Sequence, residues 1–497
     1  MLGVIGTSRY RTCRYQIVPV IGWDAAEVDM RRDRTAVLHF LAQLTRSLAG
    51  FGTTLFTARY FGANGLGFYS QILALLFWLK LPSNSVKTAV SKRMSETEAP
   101  TGHFTAGILS TLSYGLVVGL AVVALEAQVN DYLDADAAHL LILLLTVNIA
   151  FDIIKSGLIG RKQVAVAGWL GTGEQILRLG SQVTFVLGGS MVIGLVYGHV
   201  LSLFAFSLAG IWLLRDRITV PRRRDFDELR QFAQYSWLGN LQGVTLNWMD
   251  VLVLGLFVGD DLVGIYTAAW TLASFLSLAS KSIRKTLFPE LSDLGVDERY
   301  DRATSLVSDG LEFAGIFLIP GAMGAVVLGD RVLAIYQSEF SAGGIILVLL
   351  ILARTFQVFG SQFVGTLNGL DYPEIAFRIN AVFILTNAVL NVILIYQFGW
   401  YGAAVATLTS TVVYLLVSWY ALKNEIGGVE VPWKTIVMQT IAALAMAGVV
   451  ATVLPILPSG VGGTLLAVVL GAGIYGILLM LLSTDIRRKI LTLVGLV

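Results

Sequence analysis

The chain has 497 residues, 56% of them hydrophobic and only 14% charged, with a net charge of +2 and a mean hydropathy of +0.74. Soluble domains carry about 25% charged residues, so the composition excludes a soluble globular protein and indicates a polytopic membrane protein. The single cysteine, Cys13, excludes an internal disulfide, and the four histidines (His39, His103, His139, His199) form no ligand-spaced pair. No cofactor, metal centre or nucleic-acid partner is therefore expected.

Residues 1–34 contain no signal peptide and read as a cytoplasmic N-terminal tail, with Met30 as an alternative start. Apolar runs long enough to cross about 30 Å of hydrocarbon follow near 35–61, 66–91, 103–128, 137–160, 164–188 and 191–214. After a polar break at 215–229 they resume near 230–258, 262–288, 304–328, 340–366, 374–397 and 401–423, and two more lie near 433–455 and 461–483. The expectation is an all-α polytopic membrane protein of about fourteen transmembrane helices. A first six-helix bundle spans 35–214, a basic cytoplasmic linker 215–229, a second bundle 230–423, and two extra helices with a C-terminal tail 424–497.

Basic residues set the orientation. Lys92 and Arg93, Arg161 and Lys162, the linker arginines, Arg284–Arg302 and the tail bases Arg487, Arg488 and Lys489 all fall on one side of this count. The alternate connections carry Glu126, Asp131, Asp134, Asp136, Asp260 and Asp261. Both termini are expected on the cytoplasmic side of the cell membrane.

The frame of Gly62, Gly67, Tyr69, Ser83, Ser85, Val86 and Lys87 returns 197 residues later, without a gap. Its mates are Gly259, Gly264, Tyr266, Ser280, Ser282, Ile283 and Arg284. Such agreement marks an internal duplication. Because each half holds an even number of helices, the copies point the same way and predict a pseudo-two-fold axis along the membrane normal, with a cavity between them.

A charge at membrane depth costs at least a few kcal/mol, which makes each one a functional candidate. Gln43, Arg46, Gly50, Thr53 and Thr57 follow one face of the first span; their mates are Asn240, Gly243, Asn247, Asp250 and Leu254. Lys80, Asn84 and Lys87 form a stripe on the second span beside Pro82. Asn148, Asp152 and Lys155 share a face of the fourth, and Glu174, Arg178 and Gln182 a face of the fifth. Arg354 stands alone on the tenth, and Asn380, Asn387 and Asn391 line the eleventh. Plainer readings exist. Lys87, Lys155, Lys281 and Arg284 lie close enough to a cytoplasmic end to snorkel; Glu174 and Arg178 can pair with each other; the asparagines can join helices. Bases outnumber acids, which suits an anionic head group, arginine matching phosphate oxygens through its fork. No Walker loop and no large soluble domain is present.

Ala58-Arg59-Tyr60-Phe61-Gly62 with Gly67-Phe68-Tyr69-Ser70 resembles the opening signature of the polysaccharide-biosynthesis, Wzx-type flippases of the multidrug/oligosaccharidyl-lipid/polysaccharide (MOP) exporter superfamily. Trp248-Met249-Asp250 followed by Val263–Ala269, Phe288-Pro289-Glu290-Leu291-Ser292, and Asn387–Asn391 followed by Gly399–Thr407 resemble later motifs of that family, in order. One departure is Tyr336-Gln337-Ser338-Glu339-Phe340, where the family often has a glycine-rich turn. The resemblance implies a transporter, not an enzyme, that carries polyprenyl-(pyro)phosphate-linked oligosaccharide from the cytoplasmic to the outer leaflet by alternating access through a basic cleft, for surface polysaccharide or glycoprotein glycan assembly. Glycosyltransferases or a polymerase of the same pathway are the implied partners. Arg46, Lys80, Arg178 and Arg354 are then candidate phosphate ligands, with Gln43, Asn247 and Trp248 facing the sugars. Asp152, Glu174 and Asp250 are candidates for H+ or Na+ coupling. The competing readings are an ion-coupled small-solute or drug exporter of the same superfamily, and a membrane glycan polymerase or transferase, which the lack of a large outer loop disfavours.

Overall fold

A computed structural model of the protein describes the backbone of residues 25–96, 102–277, 296–483 and 487, without the side chains of 25–43, 235–239 and 296–301. Several expectations lie outside these residues: the tail 1–24, the side chain of Gln43, Lys281 and Arg284 at the end of the second repeat, the Phe288–Ser292 motif, and Arg488 with Lys489. The described chain is helical, with no strand.

The helices are α1 (Ala25–Leu79), α2 (Leu81–Ser95), α3 (His103–Ala124), α4 (Glu126–Leu133), α5 (Ala138–Gly160), α6 (Val164–Phe185) and α7 (Ile193–Leu213) in the first half. Then come α8 (Arg223–Phe257), α9 (Asp260–Leu276), α10 (Val296–Leu333), α11 (Gly344–Gly369), α12 (Pro373–Ile426), α13 (Trp433–Val453) and α14 (Val461–Leu482). Among the described residues eight helices are apolar and long enough to cross a membrane by length and composition, or nine if α1 and α2, bent by 56° at Lys80 and Pro82, form one broken span. The runs read as the fifth and seventh spans coincide with α6 and α8, which fall short of that apolarity because they carry Glu174, Gln175, Arg178, Gln182, Asn240, Asn247 and Asp250. Helices that turn polar faces inward lose the signature by which a span is recognised.

Two of the long helices are each two helices meeting at a glycine. α1 breaks at Gly62 (φ 70°) and α12 at Gly399 (φ 56°), in a backbone region that side chains with a Cβ rarely enter. The break in α1 frees the amide of Ala63, which donates to Glu339 Oε1 at 2.7 Å. Arg59 donates twice to the carbonyl of Ile335 (3.0 and 2.8 Å), and Gln337 Nε2 donates to the Arg59 carbonyl at 2.7 Å. The Tyr336–Phe340 segment, where the family pattern is not followed, therefore fastens the first half to the second.

The two copies of the repeat cross where their glycines face. A Cβ on Gly67 would lie 1.9 Å from the Asp260 carbonyl oxygen; one on Gly264 would lie 2.0 Å from that of Ala63. Gly67 and Gly264 are register mates, and so are Ala63 and Asp260, so the contact is reciprocal about the expected pseudo-two-fold axis. Gln71 Nε2, donating to Asp260 Oδ1 at 2.6 Å, adds a polar tie beside it. Apolar packing continues the seam: Ala58, Ala63, Leu66 and Ala74 share one buried core with Val251, Leu254, Tyr266 and Ala269. The first half keeps its own core around Ile72, Leu141, Leu145 and Ile153, and α13 and α14 bury Ala442, Met446 and Tyr475 against Leu328 of α10.

α8 begins at Arg223, inside the segment read as linker, because the Asp225 carboxylate accepts the Arg222 amide at 2.7 Å and caps the new helix. Next to it His103 Nε2 lies 2.9 Å from Glu228 Oε2, and Arg224 donates to Glu228 at 2.6 Å. These contacts, Arg224 first, hold the Glu228 carboxyl below the usual carboxylate range.

Replacing Gly67 or Gly264 by valine puts methyl groups into a carbonyl of the other copy. Each change is expected to cost at least about 1–3 kcal/mol, read as a lowered thermal midpoint in detergent. A wild-type midpoint would contradict a backbone-to-backbone crossing.

Candidate functional site

On the linker side of this crossing the helices part around a polar cavity of about 590 Å3. Its wall is built by α1 and α2 (Arg46, Phe77, Lys80, Asn84, Lys87), α5 (Asn148, Asp152, Lys155), α6 (Gly171, Glu174, Arg178), α7 (His199) and α8 (Asn240, Asn247, Trp248). The stripes read separately from five helices thus converge on one space. Helical spacing explains the convergence: residues three and four apart stack on one face, and each face is turned inward because burial of its polar groups elsewhere would leave them unpaired.

Five basic and two acidic side chains line the cavity, and most are already engaged. Lys80 Nζ donates to Asn148 Oδ1 at 2.6 Å and to Asp152 Oδ2 at 2.9 Å, and sits 4.4 Å above the Phe77 ring. Lys87 Nζ lies 3.6 Å from the same Asp152 oxygen. Arg178 grips Glu174 with both arms of its fork (2.9, 2.7 and 2.8 Å), and Ser202 donates to Glu174 at 2.9 Å. The i, i+4 pairing weighed from the sequence is therefore the one formed. Phe77 stacks on Trp248 across the two halves, centroids 4.6 Å apart and planes 14° from parallel, which roofs the cavity with aromatic surface. Arg46 and Lys155 have no carboxylate within ion-pair distance among the described residues.

Arg354 and Asp250, expected in the same site, lie elsewhere. Arg354 is 2% exposed, does not line the cavity, and donates through one nitrogen to Asn247 Oδ1 (3.0 Å) and Ser274 Oγ (2.7 Å) beneath the Trp270 ring at 4.0 Å. Through Asn247 it braces the cavity wall from behind. Asp250 anchors a buried cluster in the second half. Asn391 Nδ2 donates to its Oδ1 at 2.9 Å, while Thr407 (2.7 Å) and Tyr266 donate to its Oδ2. Tyr69, the register mate of Tyr266, is also a buried hydrogen-bonding phenol, 2.9 Å from His199 Nδ1 and accepting from Gln182 at 3.0 Å. Asn391 joins α12 to α8 through Asp250, as a helix-joining asparagine does, while Lys155 lines the cavity, where a snorkelling lysine would not. The i, i+4 spacing of Asn387 and Asn391 opposite Asp250 was the available signal for the cluster.

A second cavity, of about 500 Å3, differs in chemistry. It lies between α9, α10, α11, α13 and α14 and is lined by Phe275, Leu276, Phe317, Met446, Tyr475 and Leu479 among other apolar groups.

The family model for polysaccharide biosynthesis proteins matches residues 34–294, and that for the lipid II flippase MurJ matches 170–471. The chain is 32% identical over 463 residues to a Haloferax volcanii protein named "Probable flippase AglR", covering 92% of this chain and 97% of that one. It is 27% identical over 418 residues to the "Probable low-salt glycan biosynthesis flippase Agl15" of the same organism, covering 84% and 88%. The solved structure of lipid II flippase MurJ in an inward closed conformation superposes with a TM-score of 0.77 over 91% of this chain and 100% of that one. At 15% identity that likeness shows a common fold.

Removing one partner of a buried ion pair strands the other. Arg178→Met is expected to cost about 3–5 kcal/mol, and adding Glu174→Gln should recover most of it in a double-mutant cycle of unfolding free energies. Additive losses would mean that the two side chains act separately.

Proposed function

We propose a mechanism from one premise: the chain belongs to the polysaccharide biosynthesis family of MOP-superfamily lipid-linked oligosaccharide flippases, and it is a multi-pass membrane transporter rather than an enzyme. Its substrate in this reading is a polyprenyl-linked oligosaccharide whose phosphate and sugars cross through the polar cavity while the lipid tail stays in apolar surroundings. The observation that carries the proposal is the pair of cavities of opposite character, one with a three-charge basic excess and one lined by hydrocarbon. Phosphoryl oxygens are matched by charge-assisted donors, sugars by the Phe77–Trp248 platform and by Asn84, Asn148 and Asn247. The apolar cavity suits the prenyl chain, since each CH2 kept from water is worth about 0.8 kcal/mol. A small-solute or drug exporter drawing in a cation would need an open carboxylate, whereas Asp152 and Glu174 are both held by bases.

In this proposal the protein works by alternating access with both termini cytoplasmic. The polar cavity opens toward the linker side, the Gly67–Gly264 crossing closes the far side, and exchange between these arrangements moves the head group outward. A head group forced through bare hydrocarbon would lose several kcal/mol per unpaired polar group. Asp250 is the proposed site of ion coupling. Its partners come from α9 and both parts of α12, and the buried Oδ1 atoms of Asn387 and Asn391 have no donor among the described residues, so the cluster offers oxygens to a proton or Na+. Pathway glycosyltransferases or a polymerase in the cell membrane would supply or consume the substrate.

The test is leaflet accessibility of a fluorescent polyprenyl-phosphate oligosaccharide in proteoliposomes. Protein-dependent loss of inner-leaflet label is expected, reduced at least tenfold by Arg46→Ala and no longer driven by an ion gradient in Asp250→Asn. Export of a soluble cation without lipid movement would overturn the reading.

A further inference from the structure

We propose that one phosphoryl group of the transported head is held between Arg46 and Lys155, in a notch left by Gly171. The proposal rests on the flippase reading and assigns the anion site within its cavity, including Lys155, a residue whose sequence position is equally open to snorkelling at the membrane surface.

The assignment follows from the pairing of charges. Of the five cavity bases, Lys80 and Lys87 share Asp152, and Arg178 is bound bidentately by Glu174. An anion arriving at those three would have to displace an existing carboxylate. Arg46 and Lys155 have no such competitor among the described residues, and both face the cavity. Arg46 is exposed, and Lys155 is half-buried, its ammonium 5.5 Å from the centre of the Phe151 ring. Two like charges left together in a partly desolvated space repel each other, and the arrangement is relieved when an anion enters.

Their separation suits a single phosphoryl group. A Cβ built on Gly171 would lie 3.1 Å from Lys155 Nζ and 3.9 Å from an Arg46 guanidinium nitrogen. The two cations are thus at most about 7 Å from each other, both beside that position. Two charge-assisted bonds of about 2.8 Å and a phosphoryl edge of about 2.5 Å span up to about 8 Å, so one group can bridge both. Glycine in the middle of α6 costs helix stability relative to alanine, and here it keeps open the space that the bridged oxygen needs. A snorkelling Lys155 would turn its ammonium to the membrane surface; instead the ammonium lies beside Gly171 of α6, in the lining of the cavity.

Binding of two probes to the full-length protein in nanodiscs tests the site. One is a fluorescent short-chain polyprenyl phosphoryl hexose; the other replaces the phosphoryl group with an uncharged linker. Wild type should prefer the charged probe at least tenfold. Lys155→Gln and Arg46→Gln should each erase about tenfold of that preference by weakening the charged probe alone, and Lys155→Arg should retain it. Gly171→Val, which leaves both charges in place, should act like Lys155→Gln. An unchanged preference in Lys155→Gln, or equal weakening of both probes, would overturn the assignment while wild-type lipid transport left the flippase reading standing. A wild type that neither binds the charged probe nor moves lipid would overturn both.

Discussion

The architecture depends on how closely two helices can approach at the seam between the duplicated halves. Gly67 and Gly264 let the backbone of each copy rest against the carbonyl of the other, an approach that any side chain would block. Because the same residues serve in both copies, one duplicated motif makes both faces of the contact. Everything else is hung from that line. The Gly62 break turns α1 toward it, Glu339 and Gln337 reach over from the second half to hold the break, and the polar cavity opens where the helices diverge below. A crossing made of small residues and short hydrogen bonds, flanked by apolar side chains of both halves, is also one that can part and re-form between two arrangements.

The second governing constraint is the cost of charge in a low-dielectric setting. The fold meets it by pairing: Glu174 with Arg178 and Ser202, Asp152 with Lys80 and Lys87, Asp250 with three neutral donors. The halves have diverged in how they use this. In the first, charges surround an open space; in the second, one carboxylate is enclosed by hydroxyls and an amide, and Arg354 is buried against Trp270. A duplicated frame has thus separated a surface suited to binding a head group from a cluster suited to binding a small ion. The apolar cavity made with α13 and α14 adds a third environment that the first half lacks.

Much of this was legible in the chain itself. The duplication at a shift of 197 residues located both sides of the crossing, and the stripes Asn148–Asp152–Lys155 and Glu174–Arg178 named most of the cavity wall before any geometry. Helical periodicity reports which residues share a face, but not which face meets which. For that reason Arg354 groups with Arg46 by sequence although it packs behind the wall, nothing in the periodicity links Asn391 to Asp250 across 141 positions, and the position of Lys155 near a helix end does not decide between snorkelling and the cavity. Apolarity is a weaker guide at the cavity, since α6 and α8 carry the polar residues that line it.

The central claim is that the crossing of the two copies opens and closes as the head group passes. The most direct measurement is the distance distribution between spin labels at Tyr60 and Asp261, exposed positions flanking the crossing on either copy, by double electron–electron resonance in lipid with and without a polyprenyl-linked oligosaccharide. The account predicts a short-distance population in the absence of substrate and a second, longer one that grows when substrate and an ion gradient are supplied. A single short distance under all conditions, in protein that still transports lipid, would contradict it.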